Sequence, residues 1–140
     1  MEYTIDRTVL FPLIEEEVSR VANESYTDDG DSMYDVIRLT SLDNATIVRL
    51  EDDAIDALVK RTIDICTYNG SVLYFDVPDF DTYLEPATTR EITRYIVLNT
   101  CAAWFQSRMP GKVDEYANRG QVAMDKAVTY LKSIKAPERV

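Results

Sequence analysis

The order of apolar and polar positions along the chain predicts a mainly helical fold. Over residues 8–25 the apolar positions recur at helical spacing, with Glu15 to Glu17 on the opposite face. A second helix is predicted to begin at residues 41–44 and to end at Asn69-Gly70, a pair suited to a left-handed C-cap. Its apolar stripe consists of Ile47, Leu50, Ala54, Ile55, Leu58, Val59, Thr62 and Cys66.

Two shorter segments interrupt this helical pattern. Residues 27–31 form a polar loop, and residues 32–39 fit either a helical turn or a strand, of which we favour the helix. Residues 72–77 are rich in β-branched and aromatic side chains and predict a strand. Residues 80–84 are expected to return beside it, which makes a small β-hairpin.

The last third of the chain predicts two packed helices. Thr88 and Glu91 have the spacing of a capping box, so a helix is expected over residues 90–108. Apolar residues occupy nearly every angular position of this helix, which indicates contacts on several sides and a central place in the fold. A turn at Pro110-Gly111 leads into an amphipathic helix over residues 113–135, in which Gly120 indicates a close approach to a partner helix.

Together these elements predict a single domain over residues 1–140. The expected fold is mainly α, a compact helical bundle of four to five helices with a small β-hairpin inserted before the last two helices. A chain of this length can bury roughly 68% of the surface that it exposes when unfolded, so no disulfide or metal is needed for stability. Residues 135–140 are expected to form a flexible tail.

The composition limits the cellular compartment in which the protein is expected and the kinds of partner that it is expected to bind. The formal charge is −10, from 25 acidic and 15 basic residues, so tight binding of nucleic acid through a basic face is not expected. The first residues lack the basic start and apolar run of a signal peptide, and Cys66 and Cys101 are interpreted as reduced, inert thiols in helical surroundings. The uncharged run 95–107 would span only about 20 Å as a helix, too short for a bilayer. We therefore expect a cytoplasmic protein that is neither secreted nor membrane-bound.

The residue types offer little reactive chemistry. There is no histidine, and neither cysteine stands beside a base, so acyl transfer and zinc binding are not expected. The acidic run 28–31 does not continue as an EF-hand loop, and Asp76, Asp79 and Asp81 fit a turn better than a cation site. We predict no catalytic residue, no cofactor and no metal. An enzyme that uses only carboxylates and tyrosines is a minor alternative, and it would need an enclosed pocket holding acids of raised pKa.

The hairpin region carries more aromatic surface than two strands bury by themselves. These side chains either pack on the helices of the same chain or contact another subunit. The candidate contact residues in this region are Tyr74, Phe75, Phe80 and Tyr83.

The order of the predicted elements resembles that of the head-to-tail connector, or head-completion adaptor, proteins of tailed bacteriophages, including the Mu-like group. The resemblance is best over REITRYIVLNTCAAWFQSRMPGKVDEYANRGQVAMDKAVTYLKSIK, residues 90–135, which looks like the closing pair of helices of that family. It implies a non-enzymatic structural protein that forms a ring between the portal and the tail, cytoplasmic during assembly and then part of the virion neck. DNA would pass the acidic ring without specific binding.

The resemblance also implies contact surfaces. The β segment would contact a neighbouring subunit or the next tail component. The end of the last helix and the tail would dock on the portal. The residues concerned are Leu131, Ile134, Ala136, Pro137 and Val140.

An alternative of another class is a cytosolic acidic helical regulator that binds a basic protein partner. Such a regulator would be a monomer or dimer, and its binding would depend steeply on salt.

Overall fold

The structure is a computed structural model that describes residues 1–133. It is mainly helical, and the predicted fold class is confirmed. The elements follow in the order β1 (Glu2–Thr4), α1 (Arg7–Glu24), α2 (Tyr34–Ile37), α3 (Asn44–Arg61), β2 (Cys66–Tyr68), β3 (Val72–Phe75), α4 (Glu85–Phe105) and α5 (Val113–Leu131). Single turns of 3-10 helix precede α3, α4 and α5 at Ser41–Asp43, Thr82–Leu84 and Pro110–Lys112. The favoured helix within residues 32–39 is confirmed as the single turn α2.

The β segment is a three-stranded antiparallel sheet with the strand order β1-β3-β2. Tyr3 and Tyr68 both pair with Leu73 of the central strand, which is fully buried. The predicted strand at 72–77 is confirmed in its first four residues, but the predicted return strand at 80–84 is wrong. The partner of β3 within the hairpin is β2, which precedes it, and Gly70 at φ +97° forms the turn between them.

Helix α3 ends about two turns before the predicted end at Asn69-Gly70. Its last residue is Arg61, and the Thr62 hydroxyl donates to the Leu58 carbonyl at 2.8 Å where the helix closes. Cys66 therefore lies on a strand, half-buried, and not on a helix. The left-handed conformation of Gly70 serves the hairpin and not a helix C-cap, because residues 66–68 find a β partner in β3.

The predicted capping box at the start of α4 is also wrong. The helix begins at Glu85, so Thr88 already lies within its first turns, and its hydroxyl donates back to the Leu84 carbonyl at 2.7 Å. Glu91 is buried further along the helix, where its Oε1 lies 3.5 Å from Nη1 of Arg94. Pro86, at the second helical position, supplies the preset backbone angle that favours an early start.

Helix α4 is the central element, as predicted. It packs most extensively on α5 and also contacts α3 and α1. Tyr95 donates a hydrogen bond of 2.7 Å to the Ala54 carbonyl of α3, and Trp104 Nε1 donates one of 2.8 Å to the Ile37 carbonyl of α2. Phe105 meets Tyr116 of α5 edge-on, with ring centroids 5.1 Å apart. Helix α4 is therefore in contact with each of the other four α-helices.

A polar cluster joins α1 to α5. Glu17 Oε2 accepts hydrogen bonds from Arg20 at 2.7 Å and from the Tyr116 hydroxyl at 3.0 Å. Burial alone would raise the pKa of Glu17, but these two hydrogen bonds and the nearby guanidinium charges lower it overall. The hydrogen bonds of this cluster are therefore formed with Glu17 ionised at neutral pH.

Gly120 lies against α4, as its position in the helix indicates. A Cβ atom added there would lie 3.4 Å from the Asn99 backbone nitrogen and 3.6 Å from Leu98 Cβ, which are ordinary contact distances. We expect Gly120→Ala to raise the free energy of unfolding by about 0.5–1 kcal/mol, because alanine is the better helix former and one methyl group fits.

The matched variant Gly120→Val should lower the free energy of unfolding by about 1–3 kcal/mol, since its two γ-methyl groups would push the helices apart. Urea unfolding of both variants measures the pair of effects. A destabilised alanine variant would show that the two helices approach more closely than described.

Candidate functional site

The exposed aromatic residues of the β region lie at two places. Tyr74 is 39% exposed at the centre of the outer face of the sheet, between Glu2 on one side and Thr67 on the other. Tyr83 is 86% exposed on the 3-10 turn before α4. Asp81 accepts a hydrogen bond from the Tyr83 backbone nitrogen at 3.1 Å, so this turn is capped and the phenol ring is held away from the core.

Two of the predicted contact residues belong to the core instead. Phe75 is 2% exposed on the inner face of the sheet, because strand side chains alternate and its neighbour Tyr74 points outward. Leu131 is fully buried at the end of α5. Both predictions of a contact role are therefore corrected. Phe80 is half-buried against the domain. Four predicted residues lie outside the described part of the chain: Ile134, Ala136, Pro137 and Val140.

The region around Tyr83 is strongly acidic. We name residues 76–85 the acidic segment, because it contains Asp76, Asp79, Asp81 and Glu85 and no lysine or arginine. Asp79 takes a left-handed backbone conformation at φ +59°, which turns the chain towards α4. Across residues 1–133, no three side chains of the metal-ligating types come together, so these carboxylates do not form a cation site in this geometry.

A basic depression lies between α4 and α5. We name it the α4–α5 groove, an open surface depression of about 370 Å³ between the two helices. Three cations line it, Arg94 from α4 and Arg119 and Lys126 from α5, together with one carboxylate, the buried Glu91. Its apolar part consists of the buried Leu98 and Ala123 and the exposed Val122.

Sequence periodicity missed this groove, because Arg94 and the α5 cations come together only when the helices pack. It also passed over exposed apolar residues elsewhere on the surface, among which Leu42 and Ile63 protrude furthest. The sequence did contain a signal for the exposure of Leu42 and Ile63, because neither residue belongs to the apolar stripe of α3.

A second buried carboxylate lies on α3. Glu51 is 1% exposed, and its Oε1 lies 3.2 Å from Nη1 of Arg7, while the other guanidinium nitrogen of Arg7 binds Asp52 at 2.5 Å. Burial raises the pKa of Glu51, and the lowering effect of Arg7 does not fully oppose it. Because Arg7 begins α1, this pair joins the first helix to α3, and its geometry is that of a structural ion pair.

The two thiols have little nucleophilic character. Burial raises the pKa of Cys101, which is fully enclosed, and that of the half-buried Cys66. Both are therefore neutral thiols at pH 7, the form that reacts slowly with electrophiles. Cys66 and Cys101 are free cysteines on different elements, β2 and α4.

Comparison with protein-family models, with curated proteins and with solved structures finds no match to this chain. Over the described residues, none of the helices combines the length and the apolar character that a bilayer crossing requires. The function is therefore inferred from the surfaces described above.

Proposed function

We propose that this chain is a non-enzymatic structural protein of a phage or prophage neck, which assembles into a ring that joins the portal to the tail. The observation that carries the proposal is the exposure of Tyr83 on a capped, acidic turn beside a closed helical core. Exposed aromatic side chains held in a fixed position are typical of protein contact surfaces. The order of the elements, with a small sheet before two closing helices, agrees with the resemblance to connector proteins.

The charge of the chain also suits this role. A formal charge of −10 repels phosphate, so a ring of such subunits would let DNA pass without adhering to it. The buried acids do not need a catalytic explanation, because Glu51 and Glu91 each lie beside an arginine that links or supports helices. The depressions between the helices are open to solvent and lined in part by exposed side chains, as expected for contact surfaces.

A second candidate function is an acidic regulator that binds a basic protein. The acidic segment favours it, because four carboxylates without a nearby cation would attract a basic surface. The two functions differ in partner: the connector binds a portal ring and other copies of itself, whereas the regulator binds one basic protein and does not assemble.

The portal contact is tested by deleting residues 136–140. We expect the deletion to lower the affinity for the purified portal of the same genome at least about tenfold, because an interface that loses its anchoring residues loses 1.4 kcal/mol or more. Biolayer interferometry on immobilised portal rings measures this change. Tyr26→Ser, an exposed position in the loop after α1, is the control and should bind as the unaltered chain does.

Undiminished binding of the truncated chain would refute the docking role of the tail. If the intact chain fails to bind the portal and instead captures a basic protein in a salt-sensitive way, the regulator becomes the better assignment.

A further inference from the structure

We propose that the acidic segment of one copy docks in the α4–α5 groove of a second copy. This inference rests on the self-association contained in the proposed function, and it names the two surfaces that meet. It follows from their complementary charge, from the exposure of Tyr83 and from the place of the segment on its own chain.

The groove is a local excess of positive charge on an acidic protein. Neither Arg119 nor Lys126 forms an ion pair with any residue from 1 to 133, and Arg94 makes only a long contact of 3.5 Å with Glu91. By contrast, several other arginines, among them Arg7, Arg20 and Arg61, are bound by carboxylates of their own domain. The groove thus presents two cations, Arg119 and Lys126, that form no direct ion pair with the described residues, although Arg119 lies over the Tyr116 ring and its charge also acts on Glu17.

The acidic segment has the complementary chemistry. It carries four carboxylates and no cation, and its exposed large apolar side chain is the aromatic Tyr83. The groove offers Leu98 and Val122 as apolar contacts for a ring, and the guanidinium groups beside them are suited to lie over its face. Charge and apolar surface therefore match on both sides of the contact.

The segment cannot occupy the groove of its own chain. It runs directly into α4, whose first residue is Glu85, and Arg94 follows nine positions later, about 14 Å along the helix axis. The hydrogen bond from the Leu84 nitrogen to the Asp81 carbonyl, 2.9 Å long, and the cap at Tyr83 hold the segment in its turn. The occupant of the groove must therefore come from another molecule.

Because the two surfaces differ, each copy can offer its segment to one neighbour and its groove to another. Contacts of this heterologous kind close into rings when the rotation between neighbours allows it. The inferred contact therefore provides the type of association that a neck ring requires.

The contact is tested with two charge-reversal variants. The segment variant is Asp76→Lys/Glu85→Lys, and the groove variant is Arg119→Glu/Lys126→Glu. All four side chains are exposed, and none accepts or donates a side-chain hydrogen bond to residues 1–133, so both variants should fold. Sedimentation velocity over a concentration series measures self-association at about 50 mM and about 500 mM salt.

We expect the unaltered chain to self-associate at the lower salt concentration and to do so much less at the higher. Each variant alone should associate at least about tenfold more weakly, because like charges then meet at the contact. An equimolar mixture of the two variants should associate again, since the basic segment of one meets the acidic groove of the other. Only a contact between the acidic segment and the groove predicts that self-association returns when the two variants are mixed.

The control is Arg49→Glu/Lys60→Glu, which makes the same change in net charge on exposed positions of α3 and should associate as the unaltered chain does. The inference is overturned if the unaltered chain stays monomeric up to millimolar concentration, if each variant associates normally, or if mixing restores nothing. Portal binding distinguishes the two proposals. If the chain binds the portal but the mixing test fails, the proposed function stands and this contact is refuted. If the mixing test succeeds but the chain does not bind the portal, the contact stands and the portal role is refuted.

Discussion

Replacing Trp104 by alanine is expected to lower the free energy of unfolding by about 3–5 kcal/mol. Trp104 is 1% exposed near the end of the central helix, and it is among the largest fully buried side chains of the domain. The substitution removes its apolar contacts, leaves a cavity and withdraws the hydrogen bond of 2.8 Å to the Ile37 carbonyl. The Arg108 guanidinium, 3.5 Å from the ring centroid, also loses the surface on which it lies.

Trp104→Phe separates these contributions. It keeps most of the apolar volume and removes the indole nitrogen, so we expect a loss of about 1–2 kcal/mol. Urea denaturation gives the two free energies, and hydrogen exchange at residues 34–38 should report faster opening of α2 in both variants. A loss below about 1 kcal/mol for the alanine variant would mean that the domain repacks around the missing indole.

Replacing Arg7 by methionine is expected to cost about 3 kcal/mol at neutral pH. The substitution keeps much of the apolar side chain but leaves Glu51 buried on α3 without the guanidinium 3.2 Å away. An uncompensated carboxylate in such a place is far costlier than the surface contact between Arg7 and Asp52, which is lost at the same time.

The loss should depend on pH in a defined direction. Burial raises the pKa of Glu51 even with Arg7 present, so the contribution of Glu51 to stability is complete below the ordinary glutamate pKa and is lost as pH rises through the higher folded-state pKa. Without Arg7 that pKa rises further. The difference in stability between the variant and the unaltered chain should therefore be smaller near about pH 5 than near about pH 7.

The double variant Arg7→Met/Glu51→Leu provides the control for this explanation. Replacing a buried ion pair by apolar residues is often close to neutral, so the double variant should recover most of the lost stability and show no added pH dependence. If the double variant is as unstable as Arg7→Met, the loss arises from the start of α1 itself and not from the buried charge.

Much of the helical fold could be predicted from apolar spacing alone. Helix α4 is the clearest case, because an uncharged stretch with apolar residues at all angular positions has to be surrounded. The end of α3 could not be predicted in this way. Its apolar stripe continues through Cys66, and only pairing with β3 decides that residues 66–68 form a strand. Strand β1 has three residues, too few for an alternating pattern to be recognised.

Of the candidate contact surfaces, too, only some features could be predicted from the sequence. Alternation along β3 would already have placed Tyr74 and Phe75 on opposite faces of the sheet, so the error at Phe75 could have been avoided from the sequence. The exposure of Tyr83 follows from the capped turn around it, a local feature. The α4–α5 groove depends on how two helices lie against each other, and the spacing of charges within either helix carries no information about that.

The strand order β1-β3-β2 has a consequence for how the protein folds as it leaves the ribosome. Within residues 1–133, β1 pairs with β3 alone, and the Tyr3 hydroxyl lies 2.7 Å from that of Thr93, so residues 2–4 have no strand partner until β3 has been synthesised. Nascent chains that stop short of Val72 would leave Tyr3 and the side of α1 that contacts α4 uncovered. Chaperones that recognise apolar segments would find a target there before β3 and α4 are available.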